Sequence, residues 1–247
     1  MSIVLAIHSG GFTSRQWKKL VQRLAPRYEV ITPDLLGYGP EPWPIGKPFH
    51  FAQDVAHVAA MLDEPAHLVG HSYGGFIAAQ LALAHPARVR SLALYEPVTF
   101  GVLDQPGDLA VRASIDRLPA YRSDGDRADE AWLAAFVDWW QGAGAWAALA
   151  EPTRHAFRAV AWKVSQEVAS LAADRTSSAR YATIAVPTLL LGGERTQPAE
   201  LHVLRELAAL LPHATLELLP ELGHMGPITA PDRVNDAILR HLQTCDP

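Results

Sequence analysis

Apolar and polar positions along the chain follow two periods, and the switches between them mark the elements. Ile3 to Ile7 is an apolar run too short for a helix, so it predicts a strand. Trp17, Leu20, Val21 and Leu24 then recur at helical spacing, and Tyr28 to Thr32 predicts a second strand. Pro40 to Pro48, with further Pro and Gly between, can continue neither a helix nor a central strand and is a long loop. Phe51, Val55, Val58 and Leu62 mark an amphipathic helix, AHLVG (66–70) a strand, and 73–84 an Ala-rich segment apolar enough to lie buried against a sheet. VRSLALY (89–95) is the fourth strand. From 104 to about 180 no strand is predicted, only helical pieces around 107–118, 129–141, 144–150 and 153–172. Alternation resumes with a strand in VPTLLLGG (186–193), a helix from Pro198 to Leu211, the strand ATLELL (214–219) and a last helix near Asp232–Leu242. Strands separated mostly by helices imply a mostly parallel sheet of six strands covered on both faces, a three-layer α/β/α sandwich.

Composition narrows the chemistry. The 247 residues suit one sizeable domain with a modest insertion. The expected division is a core of 1–103 and 181–247 with a helical lid over 104–180. The net charge is -5 and no basic run stands out, which argues against a nucleic-acid partner. The one cysteine, Cys245, can form neither an internal disulfide nor a thiolate metal site. The opening MSIVLAIHSGG lacks the features of a signal peptide, and no long uncharged apolar stretch suggests a membrane span; the expectation is a cytoplasmic protein, monomer or homodimer. No HExxH, GxGxxG or GxxxxGKS pattern occurs, so no metal or cofactor is expected. Charge is scarce, yet there are 11 His and 7 Trp, and five of those tryptophans (Trp132, Trp139, Trp140, Trp146, Trp162) fall in the insertion.

The strongest motif is GHSYGG (70–75), a serine flanked by glycines between an apolar strand and a helix. Such a turn exposes Ser72 Oγ above the sheet and leaves the Tyr73 amide free to donate to a developing oxyanion. With IHSGG (7–11), DLLGYG (34–39), HPARVRSLALYEP (85–97), PTLLLGG (187–193) and LGHMGP (222–227) in the same order, the chain resembles the small serine esterases of the α/β-hydrolase fold. The resemblance covers nearly the whole chain, except that the family's first two strands have no counterpart; this leaves 28–32 at a sheet edge. It implies a helical cap inserted after the fourth strand, with Ser72 as nucleophile, His224 as base, and oxyanion donors from Tyr73 and Gly10, Gly11 being the less favoured choice. His8 would support the oxyanion loop, Ser9 replaces the family's usual glycine, and DLLGYG would shape a nearby turn. His71 reads as structural.

The acid departs from the family's commonest pattern, because Arg195 stands where an aspartate is usual. Some members place the acid after the fourth strand, where this chain has Glu96. A glutamate ending an apolar strand needs a partner for its charge, and an imidazolium would supply one. Glu194 is the alternative acid, unless it pairs locally with Arg195; Asp104 and Asp108 are more distant choices.

Trp132, Phe136, Trp139, Trp140 and Trp162, with Met225 beside the histidine and Phe157 as a further choice, could wall an apolar substrate pocket. Arg112, Arg117, Arg122, Arg154, Arg158 and Lys163 read as solvated helix faces. The implied activity is that of a serine carboxylesterase, acting with water on small to medium, mainly neutral hydrophobic esters through an acyl-enzyme. Hydrolysis of a C–C bond in a β-diketone-like substrate, of a lactone or of an amide is the near alternative. A non-catalytic protein that binds a small ligand is the more distant one.

Overall fold

The computed structural model describes residues 1–118 and 128–246. Arg122 lies outside the described residues. In chain order the elements are β1 (Ser2–Ile7), α1 (Lys18–Leu24), β2 (Tyr28–Ile31), α2 (Phe51–Ala59), β3 (Ala66–His71), α3 (Tyr73–Ala84) and β4 (Val89–Tyr95). Then follow α4 (Leu109–Asp116), α5 (Glu130–Gln141), α6 (Ala145–Ala148), α7 (Glu151–Ala173) and α8 (Ser178–Tyr181). The chain finishes with β5 (Thr188–Gly193), α9 (Pro198–Leu210), β6 (Ala214–Leu219), α10 (Gly226–Thr229) and α11 (Pro231–Cys245).

The six strands form one sheet in the order β2-β1-β3-β4-β5-β6, and every neighbouring pair is parallel. Residues 28–31 are therefore at an edge, as the family resemblance implies. Strand periodicity divides the core between the two faces. Leu5, Ile7, Leu68, Leu92, Leu94 and Leu190 turn to one side and pack with Phe76, Ile77 and Leu81 of α3 and Val203, Leu204 and Leu207 of α9. Val4, Ala6, Val69, Ala93 and Leu191 turn to the other, against Leu20 and Leu24 of α1 and Val234, Ile238 and Leu242 of α11. Both faces are covered, which is why the strands read as continuous apolar runs.

Helix α3 is apolar all round because it is enclosed all round: of its twelve residues only Ala84 is not buried. Two short helices, α8 and α10, fall where the sequence predicts none; each has four residues, too few for a period to show. Between β4 and β5 the described residues form helices and no strand. Within that stretch α5 packs on α6 and α7, and α7 packs on α2.

One expectation is overturned in α7. Lys163 is not on a solvated face but 1% exposed, next to Asp54 and Glu167. Its position lies between Val160 and Val164 on the inward side of the helix, where a cation is stable only with buried partners.

Candidate active site

The turn from β3 to α3 is sharp enough that Ser72 takes φ 55, ψ -120, a backbone state an L residue holds only under constraint. The flanking glycines show why. A Cβ on Gly70 would come within 2.5 Å of the Gly74 carbonyl oxygen, and one on Gly74 within 2.3 Å of the Ile7 carbonyl oxygen. Gly74 is thus where α3 meets the end of β1, and that close approach aims Ser72 at the carboxyl edge of the sheet.

Three side chains from three loops at that edge form a hydrogen-bonded line. Ser72 Oγ lies 2.9 Å from His224 Nε2, and His224 Nδ1 lies 2.7 Å from Glu96 Oε2. The carboxylate can only accept there, so Nδ1 carries the proton and Nε2 is left to accept from the serine hydroxyl. Glu96 directly follows β4 at φ 45 and is fully buried. Its charge has two further donors, the Gly193 amide at 2.8 Å and the Thr196 hydroxyl at 2.6 Å. His224 is held from behind. His71 Nε2 donates to the His224 carbonyl at 2.9 Å, and the Tyr95 hydroxyl to the Gly223 carbonyl at 2.8 Å. Burial holds the His71 pKa well below the ordinary histidine value, so it serves as a neutral donor. Trp140 stacks on the His224 ring, with centroids 3.7 Å apart and planes 19° apart.

The other proposed acids lie elsewhere. Glu194 is exposed, and Arg195 pairs with Glu221 at 3.5 Å rather than with Glu194. Asp104 caps Ser178, and Asp108 pairs with His202. Neither reaches His224.

The amides of Tyr73, at the start of α3, and of Gly10, after β1, have no acceptor among the described residues, and both residues line the cavity above Ser72. The Gly11 amide is already used, donating to the Tyr38 hydroxyl at 2.9 Å. His8 fixes this loop. Its Nδ1 donates to the Ser9 carbonyl at 2.8 Å while Nε2 accepts from the Leu35 amide at 3.0 Å. Burial lowers its pKa to about 4, which keeps the ring in that neutral form. DLLGYG wraps around the loop through Leu35 and Tyr38. The Ser9 hydroxyl is turned to the Gly10 carbonyl at 3.4 Å.

The cavity encloses about 530 Å³ of empty space, part of it open to solvent. Apolar side chains dominate its wall: Phe12, Val98, Phe136, Val137, Trp140 and Phe157, with Met225 beside His224. Trp132, Trp139 and Trp162 do not line it. Trp132 stacks behind Phe136 at 5.3 Å, Trp139 packs edge-on against Trp140 at 4.2 Å, and Trp162 faces a separate cleft beside the 40–48 loop. One face of α5 reaches the cavity, so only part of its aromatic set does. Sequence reasoning missed Thr196, Phe12 and the buried Glu167, which also lines the cavity. The one available signal for Glu167 was its four-residue spacing from Lys163 on α7.

The profile described as the alpha/beta hydrolase family matches residues 3–237. Among curated proteins, the chain is similar to Lipase LipV of Mycobacterium tuberculosis, with 40% identity over 98 residues, which is 38% of this chain and 36% of that protein. It is similar to the pimeloyl-[acyl-carrier protein] methyl ester esterase of Neisseria meningitidis, with 37% identity over 125 residues, 49% of this chain and 47% of that one. The matched regions therefore span less than half the length of these relatives. Among solved structures, a hydrolase from Pseudomonas aeruginosa superposes with a TM-score of 0.75 at 25% identity, covering 98% of this chain and 89% of that one. No helix among the described residues is long and apolar enough to cross a membrane.

Proposed function

The chain belongs to the alpha/beta hydrolase family, and from that premise we propose that it is a serine carboxylesterase working through an acyl-enzyme. The observation that carries the reading is the Glu96–His224–Ser72 line ending beneath two unpaired amides in an apolar cavity. Ser72 Oγ attacks the ester carbonyl while His224 Nε2 takes its proton. Negative charge on the carbonyl oxygen is met by the amides of Tyr73 and Gly10. Glu96 holds the His224 tautomer and stabilises the imidazolium without taking the proton. His224 then protonates the departing alcohol, and a water activated by the same ring releases the acid.

The bond type is supported by two relatives named as a lipase and a methyl ester esterase. Cavity chemistry supports the substrate class. Phenylalanine, tryptophan and valine side chains favour a neutral acyl chain, and no lysine or arginine among the described lining residues would pair with an anionic one. Helices α5 and α7 supply most of the aromatic wall, which supports reading the described residues of 104–180 as a cap over the site.

The test combines a fluorophosphonate with an ester panel. The reagent should modify Ser72 and fail on Ser72→Ala. Methyl and p-nitrophenyl esters of short and medium acids should turn over faster than matched amides, β-diketones or half-esters with a free carboxylate. An unlabelled protein that hydrolyses none of them would refute the esterase reading. Preferential cleavage of the diketone would reassign the bond.

A further inference from the structure

Helix α7 buries two charged residues that the chemistry above does not use, Lys163 and Glu167, at 1% and 2% exposure. Burying an ion is costly unless it is closely paired, so the partners of these two residues show what the pair is built around. Lys163 Nζ donates to Glu167 Oε1 at 2.6 Å and to Asp54 Oδ2 at 2.9 Å, and it lies 3.9 Å from the centre of the Phe49 ring. Asp54, on α2, also accepts the Leu36 amide at 3.0 Å and the Tyr73 hydroxyl at 3.1 Å. Glu167 Oε2 accepts the Tyr38 hydroxyl at 2.9 Å, and that hydroxyl accepts the Gly11 amide at 2.9 Å.

Both ends of this network arrive at the oxyanion site. One end is the side chain of Tyr73, whose amide is the first donor. The other is the amide next to Gly10, whose own amide is the second. Glu167 also touches the loop directly, since a Cβ built on Gly10 would fall 2.7 Å from Glu167 Oε2. His8 fixes the loop on the sheet side, and Glu167 and Tyr38 close it on the side of α7.

We infer that Glu167 and Lys163 are positioning residues that lock the Gly10 loop to the Ser72–Tyr73 turn, so that the two oxyanion amides come into register only when α7 is docked. The inference rests on the esterase reading and adds that α7 is part of the device that stabilises the transition state, not merely a wall of the pocket. A wall residue affects substrate binding. A clamp on the oxyanion donors affects the reaction itself, because these amides act on charge that develops only in the transition state.

The experiment compares wild type with Glu167→Gln, Glu167→Leu and Tyr38→Phe. For each it measures the second-order rate of Ser72 modification by a fluorophosphonate, kcat and KM for p-nitrophenyl butyrate, and circular dichroism with thermal melting. Phosphonylation also develops charge on an oxygen facing the two amides, so it reads the clamp without depending on the natural substrate. The Leu variant should lose roughly 10- to 100-fold in labelling rate and kcat with KM within about 3-fold, less than or close to the loss of a whole oxyanion donor. The Gln variant keeps an acceptor for Tyr38 but turns its NH2 toward the Lys163 ammonium, so it should recover part of the loss and fall between wild type and the Leu variant. Tyr38→Phe leaves the Gly11 amide unpaired and should fall with the Leu variant. It also decides the matter if Glu167→Leu does not fold. Folded Leu and Phe variants that label at the wild-type rate, or that raise KM with kcat unchanged, would overturn the clamp and leave the esterase reading intact. Wild-type protein that is never labelled overturns the esterase reading, and the clamp with it.

Discussion

Replacing Glu96 with glutamine tests the proposed acid without altering its shape. The carboxylate receives three donors: the Gly193 amide on Oε1, and the Thr196 hydroxyl and His224 Nδ1 on Oε2. A glutamine has one acceptor oxygen. If that oxygen stays with Gly193, its NH2 meets Nδ1 and drives His224 to the tautomer with Nε2 protonated, which cannot take the serine proton. If the oxygen turns to His224, its NH2 confronts the Gly193 N–H with no acceptor between them. Either orientation also loses the negative charge beside the imidazolium. With charge centres about 4 Å apart and an effective dielectric near 20, that attraction is about 4 kcal/mol. This amounts to roughly a thousandfold in rate, and the wrong tautomer places the whole expected loss at about 10³–10⁴. The assay is steady-state hydrolysis of p-nitrophenyl butyrate with Glu194→Gln alongside, expected within about 2-fold of wild type because that residue is on the surface. A loss under about 10-fold in Glu96→Gln, or a crippled Glu194→Gln, would refute the assignment.

Three further outcomes follow from the geometry. Gly74→Ala places a Cβ 2.3 Å from the Ile7 carbonyl oxygen and 2.4 Å from that of His8, so urea unfolding should show a loss of about 2–3 kcal/mol; an unchanged midpoint would mean that α3 can retreat from β1. Burial raises the Glu167 pKa from 4.5 to about 7, so over that interval the folded chain keeps a proton that the unfolded chain has released. The stability this carboxyl contributes is full below pH 4.5 and is lost as pH rises through 7, a fall of about 3 kcal/mol. The stability of wild type minus that of Glu167→Gln should decline by that amount between pH 4.5 and 8 in urea titrations, and a pH-independent difference would refute the raised pKa. Trp140→Ala removes the ring stacked on His224, and kcat/KM should drop by up to roughly 10-fold while Trp140→Phe retains most of it; no change in either would mean the stack is incidental.

The sheet was legible because both of its faces are buried, so each strand stands out as an apolar run bounded by Gly, Pro or charge. Ser72 was legible because a turn that tight requires Gly70 and Gly74 around it. Glu96 could be picked out because a charge ending the apolar β4 calls for a partner. Thr196 left no trace, since a hydroxyl in a polar loop looks the same whether it meets solvent or a buried carboxylate. Lys163 misled, and Glu167 went unnoticed, for a related reason. Charges four apart on a helix read as a solvated pair, and only the packing of α7 on α2 turns that face inward. The insertion's aromatics were visible as a set, but their division between cavity and backing depends on how α5 is rotated. Sequence spacing alone does not fix that angle.

The stack of Trp140 on His224 also makes the molecule its own optical reporter. An indole face 3.7 Å from an imidazole senses that ring's charge: a cation over the face is attracted to it, and a protonated imidazole quenches indole emission. The difference in tryptophan fluorescence between wild type and Trp140→Phe should therefore respond to the charge that His224 carries during the reaction. A stopped-flow record of the same difference during acylation would follow the proton as it leaves Ser72, with no dye and no chromogenic ester.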